Sequence, residues 1–446
     1  MYIRKVLKVK EMLRKPKLSF WQILNMNVGF FGIQYSFGLQ QSAVTPIYDF
    51  LGASPDQIPL LHLAGPVTGL LVQPIIGALS DKTWHPNFGR RKPYFLIGAI
   101  MCSLALIAFP YSSTIWMAAG LLWILDAGNN TAMEPYRALI ADNLDEEQQP
   151  LGFQMQSFFT GFGQVLANLS LFIFPLIIVG STGSLPNWVY ASFFLGAICS
   201  IGSILWSISK TKEIPPTTEE LQKLKAEKKS IIKPLLEIGA AIKDMPKVMW
   251  QLALVYFFQW YALFCYWQNS SKSVALSVWN TTPENKELYS EAVSWTGLVN
   301  GWYNVVTFLV AFALVGFAKK YNAKRVHAFC LVVAALGFLA FPQIENKNLL
   351  FFAITGFGIG WASMMGIPYL MVVSQIPKER YGVYMGIINM MIVIPMIIQT
   401  LSFGYILKNF LNNDPRHAIT FAGVFLLIAA FFTLFIKIKT QANTNE

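Results

Sequence analysis

A chain of 446 residues with 54% apolar composition and only 13% charged residues is too apolar for a soluble domain and too long for a single membrane anchor. Its formal charge of +11 does not point to nucleic acid, because the Lys and Arg collect between apolar segments, as membrane topology requires. Four scattered histidines, His62, His85, His327 and His417, without HExxH or GxSxG, leave no catalytic constellation visible.

Apolar segments of spanning length run over 23–46, 57–79, 94–111, 115–140, 155–178 and 188–208, and again over 249–271, 293–317, 326–342, 349–373, 383–407 and 417–437. The expected fold is an all-α membrane protein of twelve transmembrane helices in two six-helix bundles. A first bundle covers 1–208, a central loop 209–248 and a second bundle 249–446. The N-terminal tail carries seven Lys or Arg, the connection before Tyr94 four, the central loop nine, and the connections around Lys319 and Lys378 four and two; two more follow Ile436. All but six of the 34 therefore fall on one side, and both termini and the central loop are expected in the cytoplasm. The basic N-terminus leads into a segment too long for a signal-peptide core, so it is read as the first helix.

The first span contains FGLQQSAVTP, with Gln34, Gln40 and Gln41 where leucine would suit lipid better. Amides bond in both directions and suit sugar hydroxyls, although helix-to-helix bonding explains any one of them equally well. His62 in the second span is expected to be a packing histidine. That span ends in GALSDKTWHPNFGRRKP, where small residues permit close helix approach and Asp81 can cap or pair with Arg90 or Arg91.

The fourth span organises the chain. WMAAGLLWILDAGNNTAMEPYRALIAD, residues 116–142, places Asp126, Glu134 and Arg137 where a charge costs several kcal/mol unless it faces a partner or a water-filled cavity. On a helix, Asp126, Asn130 and Arg137 fall within roughly 40° of one another, so one polar face should line a cavity. Glu134 and Arg137, three apart, can pair. Asp126, about 16 Å along the axis from Arg137, is left as the unpaired carboxyl. Out of water such a group has its neutral form favoured, which suits it to taking up and releasing a proton. The bland alternative for Glu134 and Arg137 is a buried pair that only fixes helix packing.

Gln156 opens the fifth span as a further amide candidate. Cys102, Cys199, Cys265 and Cys330 fall in or near spans with no CxxC, so neither a disulfide nor a metal is expected, and no cofactor. The central loop is Lys/Glu-rich and polar all round, a solvated connector. PYRALIADNL from Pro135 resembles PYLMVVSQIP from Pro368, a faint repeat that relates the fourth and tenth spans. The second copy lacks the charges, which assigns proton chemistry to the first half and shape and hydrogen bonding to the second. Candidates there are Gln259, Trp260, Asn300, Asn304, Trp361 and Asn389; aromatic faces stack on sugar rings and amides bind their hydroxyls, and for each residue packing is an equal alternative.

The Gly77–Pro93 stretch, with Gly77, Asp81, Gly89, Arg90 and Arg91, resembles the signature loop of the major facilitator superfamily in the longer form of sugar symporters, which implies gating of the cytoplasmic side. DAGNNTAMEPYRALIAD closely resembles the fourth-helix signature of plant sucrose/proton symporters and their bacterial and animal relatives; LQQSAVTP and SFFTGFGQVLAN resemble their first and fifth helices, and PKERYGVYMGIIN from Pro377 is a shorter piece. The resemblance implies a monomeric carrier in the plasma (cell inner) membrane that imports a maltose- or sucrose-like glycoside with a proton. Its partners would be the sugar, the proton and the bilayer. Asp126 would be the protonatable residue that also contacts sugar, Arg137 its charge partner, and Asn129 or Asn130 a sugar contact. Glu134 departs from the plant pattern, and coupled groups would titrate as a unit. A sodium-coupled carrier and a non-transporting sensor are the alternatives; the central loop is short for a sensor domain.

Overall fold

The computed structural model describes residues 15–437 apart from 146, 184, 218, 220–221, 223–238 and 373–380. Most of the N-terminal tail, most of the central loop and the connection around Lys378, with the start of PKERYGVYMGIIN, lie outside the described residues.

Helix α1 (Phe20–Phe50) begins at a capping box. Ser19 Oγ accepts from the Gln22 amide at 3.3 Å while the Gln22 side chain accepts from the Ser19 amide at 2.8 Å, which satisfies two of the donors a helix start leaves unpaired. A helical turn, Ile58–Leu61, leads into α2 (Ala64–Asp81), followed by α3 (Lys92–Ala108) and α4 (Ile115–Asn143), the last capped by Thr114. A two-stranded ribbon of β1 (Ser181–Thr182) and β2 (Leu185–Pro186), with Ser181 opposite Pro186, joins α5 (Gln149–Ile177) to α6 (Asn187–Lys210). After the central loop come α7 (Lys247–Val278), α8 (Lys286–Tyr321), α9 (Ala323–Ala340), α10 (Leu350–Val372), α11 (Tyr381–Phe410) and α12 (Pro415–Leu434). Each apolar segment read from the sequence overlaps one of these helices. Among the described residues nine helical segments are long and apolar enough to cross a membrane. Helices α1, α4 and α8 are not among them; α1 and α4 carry polar side chains of the site below.

Within the first half α1 packs on α5 and α6, and α3 on α4 and α6; in the second half α7 packs on α11 and α12, and α9 on α10 and α12. The halves meet along α5 with α8 and along α2 with α11, two contacts related by a shift of six helices, as a duplicated unit predicts. Pro135 and Pro368, the prolines of the sequence repeat, both lie inside their helices, α4 and α10. Small residues set the closest crossings. A Cβ built on Gly98 of α3 would stand 2.6 Å from the Gly128 carbonyl of α4, so this pair touches backbone to backbone only because side chains are missing.

Two ends of the bundle can be told apart by where α1 starts and finishes. At the finishing end, the apolar cluster built on Leu39, Ile47, Tyr48 and Phe109 also takes in Ala275, Tyr289, Ala292 and Val293 from α7 and α8, so the halves share one core there. At the starting end, the cluster around Ile23, Phe95, Tyr136 and Ile140 contains, among the described residues, only residues of the first half. Among the described residues the halves share a core at one end, and no shared cluster joins them around the cavity at the other.

Candidate functional site

Between the halves lies a cavity of about 290 Å³. One wall is polar and comes from the first half: Gln34, Gln40 and Gln41 on α1, His62 and Gln73 on and ahead of α2, Asp126, Asn130 and Arg137 on α4, and Gln164 on α5. The opposite wall is aromatic and comes from the second: Trp260, Phe264 and Trp267 on α7 and Trp361 on α10, with Gln268 and Asn389 as its amides. Trp361 meets Trp260 and Trp267 edge to face, with ring centroids 5.7 and 5.6 Å away, so the tryptophans brace one another into a fixed surface. Such a pairing of amides with indoles suits a ligand that carries hydroxyl groups on a flat, partly apolar ring.

The helical spacing of α4 delivers Asp126, Asn130 and Arg137 to one face, as expected from the sequence. Asp126 is fully buried, but it is not without a partner: Gln40 Nε2 donates to its Oδ1 at 2.7 Å. This corrects the reading of an unpaired carboxyl, and the partner is an amide rather than a cation. Asn130 is fixed by donating to Thr68 Oγ1 at 3.0 Å and accepting from Gln73 Nε2 at 2.6 Å, which ties α4 to α2. Glu134 and Arg137 stand 4.0 Å apart with side chains 38% and 47% exposed, so they are neither buried nor tightly paired. Arg137 lines the mouth of the cavity and Glu134 does not.

Five other candidates do not reach the cavity, Asn300 among them. Asn129 donates to Ser36 Oγ at 3.0 Å and accepts from the Cys102 thiol, which makes it a joint between α1, α3 and α4. Gln156 donates to the Tyr136 carbonyl at 3.3 Å, Asn304 to the Asn300 carbonyl at 3.0 Å, and Gln259 is buried beside Trp260. Sequence reasoning passed over Gln73, Gln164, Trp267 and Gln268, and it set His62 aside as packing. His62 does bond Thr45 at 2.9 Å and meet Tyr48 edge to face, but it also faces the cavity.

The closed end carries a second set of polar groups. Lys272 Nζ of α7 lies 2.7 Å from Asp49 Oδ1 of α1, both side chains at most 4% exposed, and the Tyr289 hydroxyl of α8 donates to Asp49 Oδ2. Asn300 of α8 donates to Ser42 of α1 at 3.3 Å, and Ser42 donates to Asn168 of α5 at 2.7 Å. A Cβ on Gly404 of α11 would lie 2.2 Å from the Asp56 carbonyl, so the backbones touch there. Asp49 and Lys272 lie just beyond the expected spans, where a charge is unremarkable, and that is why the sequence did not single them out.

At the open end the GRRKP loop holds the first half together. Arg91 is buried, with Nη1 2.6 Å from Asp81 and Nε 2.7 Å from Asp142, so one guanidinium joins the ends of α2 and α4 at the start of α3. Burial alone would lower the Arg91 pKa, but Asp142 and Asp81 outweigh it and hold it above its ordinary value. The Glu213 carboxylate accepts from the backbone amides of Arg90, Arg91 and Lys92 at 2.7 to 3.0 Å, an anion on a helix N-terminus. Gly89, with φ of 77°, makes the turn that presents those amides.

The sequence profile of the Major Facilitator Superfamily matches residues 26–400 and 263–445. Sucrose transport protein SUT5 of rice is 22% identical over 93% of this chain and 87% of its own length. Sucrose transport protein SUC4 of Arabidopsis thaliana is 24% identical over 84% of this chain and 81% of its own. Among solved structures, a D-xylose-proton symporter superposes with a TM-score of 0.67 over 95% of this chain and all of its own at 15% identity, and the nucleoside transporter NupG (D323A mutant) with 0.70 over 93% and 99% at 14%. These last likenesses are of fold.

Proposed function

Because the chain belongs to the Major Facilitator Superfamily, a family of membrane carriers and not of enzymes, we propose that it imports a disaccharide or related glycoside together with a proton. The observation that carries this reading is the cavity itself: a buried carboxylic acid and amides on one wall, tryptophans on the other, and each wall supplied by a different half. The likeness to sucrose transport proteins supports a sugar as the cargo. A proton symporter among the structural neighbours shares the fold.

In this reading all twelve long helices cross the membrane, 1–208 and 249–446 move as two bundles, and 209–248 links them in the cytoplasm. The excess of Lys and Arg at the end where α1 starts puts that end inside the cell. The carrier is then seen with its outer end shut by Asp49, Lys272 and Tyr289 and its cavity open inward. Asp126 takes a proton from outside while the outer end is open, which removes a buried charge and lets the sugar bind beside it. Rocking of the bundles exposes both to the cytoplasm, where the proton leaves. Asn130, Gln34, Gln41, Trp260, Trp361 and Asn389 contact the sugar; Arg137, with Glu134 beside it, sets the field at the inner mouth. Asp81, Arg91, Gly77, Gly89 and Arg90 form the inner gating loop. The protein is placed in the plasma (cell inner) membrane as a monomer.

Reconstitution into liposomes tests this directly. With an inward proton gradient, labelled maltose or sucrose is expected to accumulate and protons to move with it, whether the bath holds sodium or potassium. Accumulation without proton movement, or accumulation that needs sodium, overturns the proposal.

A further inference from the structure

Asp126 and Gln40 are joined by one hydrogen bond, Gln40 Nε2 to Asp126 Oδ1 at 2.7 Å. The second oxygen of each group, Asp126 Oδ2 and Gln40 Oε1, is buried and receives no hydrogen bond from any described residue. Buried polar atoms are seldom left so, and two stranded acceptors on two groups already in contact have a common remedy. Rotating the amide would set its oxygen against the carboxylate and lose the existing bond, and an ionised carboxylate has no hydrogen to give. One added proton supplies what is missing. Placed on Oδ2, it donates to Gln40 Oε1 while Nε2 still donates to Oδ1, which gives the two-bond ring in which a carboxylic acid and a primary amide pair.

We propose that Gln40 is a positioning residue for the proton: its amide pairs with the neutral acid of Asp126 through two hydrogen bonds, and the second of these bonds between α1 and α4 lasts only as long as the proton stays. This rests on the proton-coupled reading above and adds the group that reads the proton. When the proton passes from Oδ2 to water at the open inner end, the O–H bond to Oε1 is lost and a charge remains that a single amide donor does not offset. Among the described residues no other side chain bonds the Asp126 carboxylate. The titratable or charged groups nearby are Tyr48 on α1, Cys102 on α3 and, around the same cavity, His62 ahead of α2 and Arg137 about three turns further along α4. Lys272 on α7 is already held by Asp49. On the α2 side Gly65 approaches without a side chain; a Cβ there would stand 3.6 Å from both Asp126 Oδ2 and Gln40 Nε2. Gln41, the neighbouring amide, lines the cavity without bonding Asp126 and serves as the control.

Difference infrared spectroscopy between acidic and alkaline pH, on purified protein in lipid vesicles, reads this bond apart from transport. A neutral-carboxyl band that disappears in Asp126→Asn belongs to Asp126. Gln40→Leu and the longer Gln40→Met are both expected to move that band to higher frequency, toward an acid carbonyl that accepts no hydrogen bond, and Gln41→Leu to leave it in place. An Asp126 band unmoved in both Gln40 variants overturns the pairing while the symport reading stands. Absence of any Asp126-dependent band at every pH overturns both.

Discussion

Asp126 is the residue on which the transport reading turns, and its neighbours divide cleanly into those that line the cavity and those that hold the helix. Asp126→Asn keeps the shape of the side chain and removes the titration. It is expected to abolish accumulation of sugar against a gradient while sparing exchange of labelled sugar at equal concentrations, measured on the same liposomes. Asn129→Ala is expected to act through stability instead, since it removes bonds that join α1, α3 and α4; loss of a neutral buried hydrogen bond should lower unfolding stability by about 0.5–1.5 kcal/mol, read by thermal unfolding in detergent. The pattern of α4 made Asp126, Asn130 and Arg137 legible in the sequence because a fixed turn per residue assigns them a face. It did not show which amide of α1 meets Asp126, since Gln40 and Gln41 are adjacent and only the crossing of α1 over α4 decides between them. The same spacing sets Asn129 off that face, and its side chain turns away from the cavity to Ser36 and Cys102.

At the scale of elements, helix ends and helix crossings hold the first half together, and these follow from short-range rules to different degrees. Apolar length located every long helix, but the sequence could not say which of Arg90 and Arg91 would turn inward to Asp81 and Asp142, because that depends on where α2 and α4 end relative to α3. Arg91→Gln leaves two acids without their cation and is expected to lower stability by about 1.5–3 kcal/mol; Arg90→Gln, whose backbone rather than side chain contacts Glu213, should change it far less, and paired melting curves compare them. The crossing of α3 and α4 is a stricter test. Gly98→Val would drive a side chain into the Gly128 carbonyl, and overpacking of this kind should destabilise by about 1–3 kcal/mol in the same assay.

For the whole molecule, the two halves differ in what they bring together: the first supplies groups that bond and ionise, the second supplies flat apolar surface. Hydropathy could show that there were two sets of spans but not how they face one another, since it does not record which faces of α5, α8, α2 and α11 turn toward a neighbouring helix. Movement between the halves is open to direct test. Lys272→Met strands the Asp49 carboxylate, and breaking a buried pair from one side costs roughly 3–5 kcal/mol, so the closed end should loosen. A cysteine at Ser42, buried at that joint, should react with a membrane-impermeant maleimide added on that side far faster in the Lys272→Met background than in the parent. Equal rates would show that other contacts hold that end shut.

The sealing of Asp49 and Lys272 also governs how the carrier responds to its medium. Exposed ion pairs weaken as mobile ions gather around them, whereas a pair shut away from water lies beyond their reach. Mobile ions in the bath should therefore act on this pair only once that end of the molecule has opened.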